Sequence, residues 1–143
     1  MYNFLLILIN LNKFRQRVKM KKNIFFTVES NNVHQYKKEK HAIDYTAKDE
    51  DGRNLLHIAI ISDANKIAQD LICNGIDINA TDRYGLTPLH LCAEYENYSI
   101  AEILLQNGAV VDYVDKYGNT PLWVAVFNAV SYTHLTLPTN SLV

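Results

Sequence analysis

A step of 33 residues constrains this chain more than any other feature. Asp49, Asp82 and Asp115 stand 33 residues apart, and so do Gly52, Gly85 and Gly118. Leu56, Leu89 and Leu122 keep the same interval, as does the pair Gly75 and Gly108. A fixed period of this length marks a stack of short units, none of which can bury its apolar face alone. The stretch DRYGLTPLHLCAEYENYSIAEILLQNGAVVD, from Asp82 to Asp112, is one complete unit, and its neighbours align to it without a gap.

Within a unit the residue types dictate two helices and a turn. Asp-x-x-Gly opens each one, with glycine supplying a backbone angle that side chains resist. Thr87 and Thr120 fit as helix N-caps, each followed by a proline at the first helical position, where no N–H is required. Asn54 takes the capping place in the first unit, with Leu55 where proline would stand. Leu89, Cys92 and Ala93 follow the i, i+3, i+4 spacing of a helix face, as do Leu56, Ala59 and Ile60. Small residues at Ala59, Cys92 and Ala125 let neighbouring helices approach. The second helices are expected to bury Ile67, Ala68, Leu71 and Ile72, then Ile100, Ile103, Leu104 and Leu105, and to end at Gly75 and Gly108.

Through Thr87-Pro88-Leu89-His90 and Asn107-Gly108-Ala109 the chain resembles the ankyrin repeat family over roughly Lys48 to Ala129. The resemblance implies an all-α fold, an ankyrin-repeat solenoid of helix-turn-helix units joined by β-turn or hairpin loops. It divides the chain into a basic leader (1–22), a degenerate N-terminal capping repeat (23–47), two full repeats and a truncated third (48–129), and a tail (130–143). Ile43-Asp44-Tyr45-Thr46-Ala47 matches Ile76-Asp77-Ile78-Asn79-Ala80, and upstream of it the register slips by about one residue. There Ile24, Phe25 and Val28 suit one helix, and Val33 with Tyr36 a second. The basic cluster from Lys37 to Lys40 then reads as a solvated cap, since terminal repeats have no outer neighbour.

The overall charge of −1 hides a division. Residues 1–22 hold six basic side chains and no acids, whereas residues 48–129 hold five basic and twelve acidic ones, a net of −7. So acidic a repeat region is repelled by a phosphate backbone, which excludes nucleic acid as partner and favours a neutral or basic protein. Cys73 and Cys92 lack metal-ligand spacing and read as free thiols of a cytoplasmic protein. His57 and His90 occupy one repeated position and suit the pairing of turn backbone groups; Trp123 replaces them in the third repeat, so no metal site is common to the units. No phosphate loop, nucleophile elbow or ligand cluster occurs, and neither catalysis nor a cofactor is expected.

Two segments fall outside the repeats. The apolar run Phe4 to Ile9 is too short to cross a bilayer, and its basic residues follow it where a secretory signal has them first. A surface-lying amphipathic anchor is the functional reading of this stretch; the favoured one is that Met1 to Lys19 is disordered or non-native, with no membrane partner. At the other end the period calls for a second helix, but the chain has Thr133, Thr136 and Pro138 there. Proline inside a helix costs about 3 kcal/mol or more, so that helix is expected to be missing. Val130 to Asn140 resembles translated adapter sequence, which makes residues 130–143 a non-native or disordered tail and the chain a fragment.

The family's shape implies where a partner would sit. Turn tips and inner helix faces of such stacks form an extended concave surface. The positions are Glu50, Asp51 and Arg53; Arg83, Tyr84 and Leu86; Leu91 and Tyr95; and Lys116, Tyr117 and Asn119. Tyrosine and arginine at tips suit the anchoring of another protein. The segment DKYGNTPLWVAVFNA resembles small bacterial ankyrin proteins, some of which are inhibitors or immunity partners of toxins. A regulatory arm of a larger enzyme is the competing class.

Overall fold

The computed structural model describes residues 2–136, apart from the side chains of 2, 21–23 and 132–136. Among the described residues seven α-helices follow one another: α1 (Tyr2–Glu29), α2 (Val33–Glu39), α3 (Leu55–Ile61), α4 (Asn65–Cys73), α5 (Pro88–Glu94), α6 (Tyr98–Gln106) and α7 (Pro121–Thr136). A short 3₁₀ turn, Lys40–Ala42, follows α2, and there is no strand among the described residues. The helices pair as α1–α2, α3–α4 and α5–α6, and the first helices pile in the order α1, α3, α5, α7. The solenoid expected from the 33-residue step is the observed fold.

Each helix starts and stops where its residues demand. Asn54 Oδ1 accepts from the backbone N–H groups of Leu56 and His57 at 3.1 Å each, and Thr87 Oγ1 accepts from His90 N–H. Thr120 Oγ1 accepts from Trp123 N–H at 3.2 Å. Each helix-to-helix turn is made by one left-handed residue, Asn31, Asp63 or Glu96. The N–H groups of the following residues, Asn32, Ala64 and Asn97, reach back to the carbonyls of Thr27, Ala59 and Cys92 at 2.8–3.0 Å. The turn at Asn31 has the same form as those at Asp63 and Glu96 and sits 32 residues before the next one, which locates the one-residue slip between Asn31 and Asp63.

The core is a column of faces pressed together. Ile24 and Val28 of α1, Leu55, Leu56, Ala59 and Ile60 of α3, and Leu89 and Cys92 of α5 form one cluster with Ile67, Leu71, Ile100 and Leu104 of the second helices. Ile103 is only half-buried and Leu105 is exposed, contrary to expectation, because no second helix follows α6 to cover that side. Tyr36 is buried and donates its hydroxyl proton to Asp70 Oδ2 at 2.8 Å, while Lys40 pairs with Asp70 Oδ1 at 3.3 Å. Lys37 and Lys38 face solvent, as a cap requires.

The two ends differ from the sequence reading. Residues 2–20, expected to be disordered, are helical and continuous with the buried end of α1, so no boundary falls at residue 22; their described side chains are all exposed. Among the described residues no separate second helix follows in the third repeat, and α7 instead runs on to Thr136. The reason lies at Ala129 and Val130, which hold the places of Glu96 and Asn97. Alanine favours the helix and valine has no capping group, so nothing there turns the chain. Residues 130–136, expected as tail, are helical; Pro138 and the rest of that segment lie outside the described residues.

Candidate functional site

The turn tips are built from one carboxylate each. Oδ1 of Asp49 accepts from the N–H groups of Asp51 and Arg53, both at 2.9 Å. Asp82 does the same with Tyr84 and Leu86, and Asp115 with Tyr117 and Asn119, at 2.8–2.9 Å. Burial pushes the Asp115 carboxyl upward, but the N–H groups of Asn119 and Tyr117 and the Asn119 amide outweigh it and hold the pKa below the ordinary aspartate value. These acids are turn-formers, which removes them from any catalytic role.

Successive tips are stitched to each other. Arg83 N–H donates to Asp51 O, and one period later Lys116 N–H donates to Tyr84 O, both at 2.9 Å. Gly52 and Gly85 lie under these bonds with φ of +74° and +76°, and a Cβ on either would come within 3.3 Å of the next tip's backbone. Side chains repeat the linkage. Arg83 Nη1 meets Asp51 Oδ1 at 2.8 Å, while Arg53 reaches Asp51 at 3.0 Å and Asp49 at 2.8 Å. The Tyr84 ring takes Arg83 at 5.0 Å and Lys116 at 5.8 Å from its centroid.

Beneath the tips a buried histidine joins each repeat to the next. His57 Nε2 lies 3.0 Å from Leu86 O, and His90 Nε2 lies 2.9 Å from Asn119 O. Nε2 donates in these bonds; Nδ1 of His90 faces the Thr87 N–H at 3.1 Å, and Nδ1 of His57 faces both the Asn54 N–H at 3.3 Å and Asn54 Oδ1 at 2.7 Å. Burial lowers the His57 pKa, opposed by the Leu86 bond, so the neutral ring belongs to the fold. Trp123 fills this place in the third repeat, exposed and stacked on Phe127 at 5.1 Å. Among the described residues no group of three or more His, Cys, Asp and Glu could hold a metal ion. Cys73 is exposed, and burial pushes the Cys92 thiol up to about 12, too high for a nucleophile.

Most of the expected binding positions form one ridge, with one correction. Glu50, Arg83, Tyr84, Lys116 and Tyr117 are exposed, with Tyr117 at 78%, while Asp51, Arg53, Leu86 and Asn119 are half-buried in the tip linkages. Tyr95, at the end of α5, is also exposed. Leu91 is only 3% exposed and belongs to the core, as does its counterpart Ile58. Helix α5 is packed between α3 and α7, and Leu91 lies on a covered side of it, whereas Glu94 at its end is exposed. The Asp51–Arg83 pair was not anticipated, although the two residues stand 32 apart, one short of the period, and so fall on adjacent tips.

Among the described residues no helix is long and apolar enough to cross a membrane. The profile of a family described as Ankyrin repeats (3 copies) matches residues 65–136, which is 72 of 143 positions. No curated protein matches the chain.

Proposed function

The chain belongs to the ankyrin repeat family, and from that premise we propose that its tip ridge, running from Glu50 to Asn119, is the surface that holds a partner protein. Ankyrin repeats are in general protein-interaction modules. The observation that carries the reading here is the ladder Asp51–Arg83–Tyr84–Lys116. It fixes three tips relative to one another before any partner arrives, so little ordering entropy is left to lose on binding.

The ladder also decides which residues do the recognising. Arg53 and Arg83 spend their charge on Asp49 and Asp51, and Lys116 leans over Tyr84. What remains outward is Glu50, the tyrosines 84, 95 and 117, and Glu94. Aromatic anchors beside uncompensated carboxylates, on a repeat region of net −7, suit a protein with a basic face.

Affinity capture with the full chain, followed by the same capture with Tyr95→Ala and Tyr117→Ala, which leave the ladder intact, tests this. Hot-spot tyrosines cost about 2 kcal/mol or more on truncation, so the captured protein should be lost from both variants and released by added salt. A protein retained equally by the wild type and both variants would place the site elsewhere. Arg53 and Arg83 are poor choices for this test, because reversing either charge breaks the ladder itself.

A further inference from the structure

We propose that the projecting part of α1 docks the molecule on an anionic lipid surface. Phe4, Ile7, Leu11, Phe14 and Val18 succeed one another at alternating steps of three and four, and so share one side of the helix. Leu5, Leu6, Leu8 and Ile9 close the other sides of the first turns. All nine side chains are at least 42% exposed. Immediately after the all-round apolar tip come Lys13, Arg15, Arg17 and Lys19, all exposed. The four ion pairs among the described residues lie in the body of the protein and use none of these cations.

The shape of the apolar surface selects the occupant. A partner helix would cover one side and leave Leu5, Leu6 and Ile9 in water. A second copy in parallel register would bring four cations of each chain together, with no acid in residues 1–22 to offset them. A bilayer surface surrounds the apolar tip on every side and offers negative headgroups at the level of the basic collar. The helix is not long and apolar enough to cross a membrane, so only its tip enters the headgroup and acyl boundary.

The acidic repeats oppose this only weakly. From the collar at Lys13–Lys19 to Ile24, the first buried residue of α1, the helix rises about 8–17 Å at 1.5 Å per residue. That is one to two Debye lengths of about 8 Å, so repulsion between the repeats and the lipid charge is weakened. The expectation of no membrane partner is revised on one observation: the leader is not a loose tail but one helix with the buried end of α1, which holds apolar tip and collar in fixed order, with Phe14, Arg17 and Val18 bordering a cavity against residues 38–47.

Co-sedimentation of the full chain with phosphatidylserine–phosphatidylcholine vesicles, and with phosphatidylcholine vesicles alone, tests the proposal. Binding is expected to the first only and should weaken with salt. The variant K13Q/R15Q/R17Q/K19Q should lower partitioning on the order of 1,000-fold. Ile7→Asp with Leu11→Asp should abolish it at any salt, and thermal unfolding should not change in either variant, since none of these side chains is in the core. Equal binding to both vesicles, or binding to neither, overturns the proposal. So does an oligomer in solution that the Ile7/Leu11 variant dissolves, which would give this face to a second copy.

Discussion

The interior repeats and the last one carry the same residues at the same positions and treat them in opposite ways. Leu56 is 0% exposed, Leu89 7% and Leu122 71%, although each opens a first helix two residues after its cap. Gly52 and Gly85 lie against the next tip, whereas a Cβ on Gly118 would meet nothing within 4 Å. His57 and His90 each hold a carbonyl of the following repeat, and at their counterpart Trp123 stacks on its own helix. Burial in this fold is a gift of the neighbour. A residue's period position decides what it can contact, and the presence of a next repeat decides whether it does.

The largest effect that can break this comparison is at the leucines. Leu56→Ala should cost about 2–5 kcal/mol in urea unfolding, since its cavity is sealed on all sides, and Leu89→Ala should cost towards the lower end. Leu122→Ala should stay within about 0.5 kcal/mol, as surface changes do. Equal losses at Leu56 and Leu122 would mean that the last helix is covered in solution.

The glycines give the next effect. Gly85→Ala and Gly118→Ala both force a side chain into the left-handed region, which costs about 1–2 kcal/mol. Gly85→Ala adds the crowding of Asp115 Cα and Lys116 N at 3.3 Å, and it should be the more damaging by about 1 kcal/mol or more. Thermal unfolding of the two variants side by side reads the difference, and equal shifts would deny the tip-to-tip contact.

The smallest effect is in acid. His57 has its pKa lowered in the folded chain by burial, so the unfolded chain binds a proton near pH 6.5 that the native state refuses. Its contribution is complete above that pH and is lost as the pH falls through 6.5 towards the depressed native value, by at most about 1.4 kcal/mol per pH unit. His57→Gln should flatten urea midpoints between pH 6.5 and 5, while Trp123→Gln should leave that slope intact. A slope unaffected by His57→Gln would show that this ring is not held neutral.

Much of the fold could be read from residue order because its signals are local and repeated. Caps at Asn54, Thr87 and Thr120, turn carboxylates at Asp49, Asp82 and Asp115, and glycines at 75 and 108 each act within a few residues of themselves. The tip positions followed from the same period. What escaped depends on partners across the stack. Leu91 has the same polarity pattern as a surface leucine, and only the helices on either side bury it. Arg83 looked like a free cation until Asp51 of the preceding tip was placed 2.8 Å away. At the ends, helix α1 and the run-on of α7 follow from missing turn residues, a negative signal that a pattern search passes over.

The buried imidazoles reach in one direction only. Each grips the loop that comes after it and never the loop before, which makes the column a sequence of latches that all close toward the C-terminus. Parting α5 from the tip at Asn119 leaves a buried ring N–H at His90 without its carbonyl, whereas parting α3 from the tip at Leu86 opens the His57 latch and keeps the His90 latch closed. Each joint of the column is thus bolted separately.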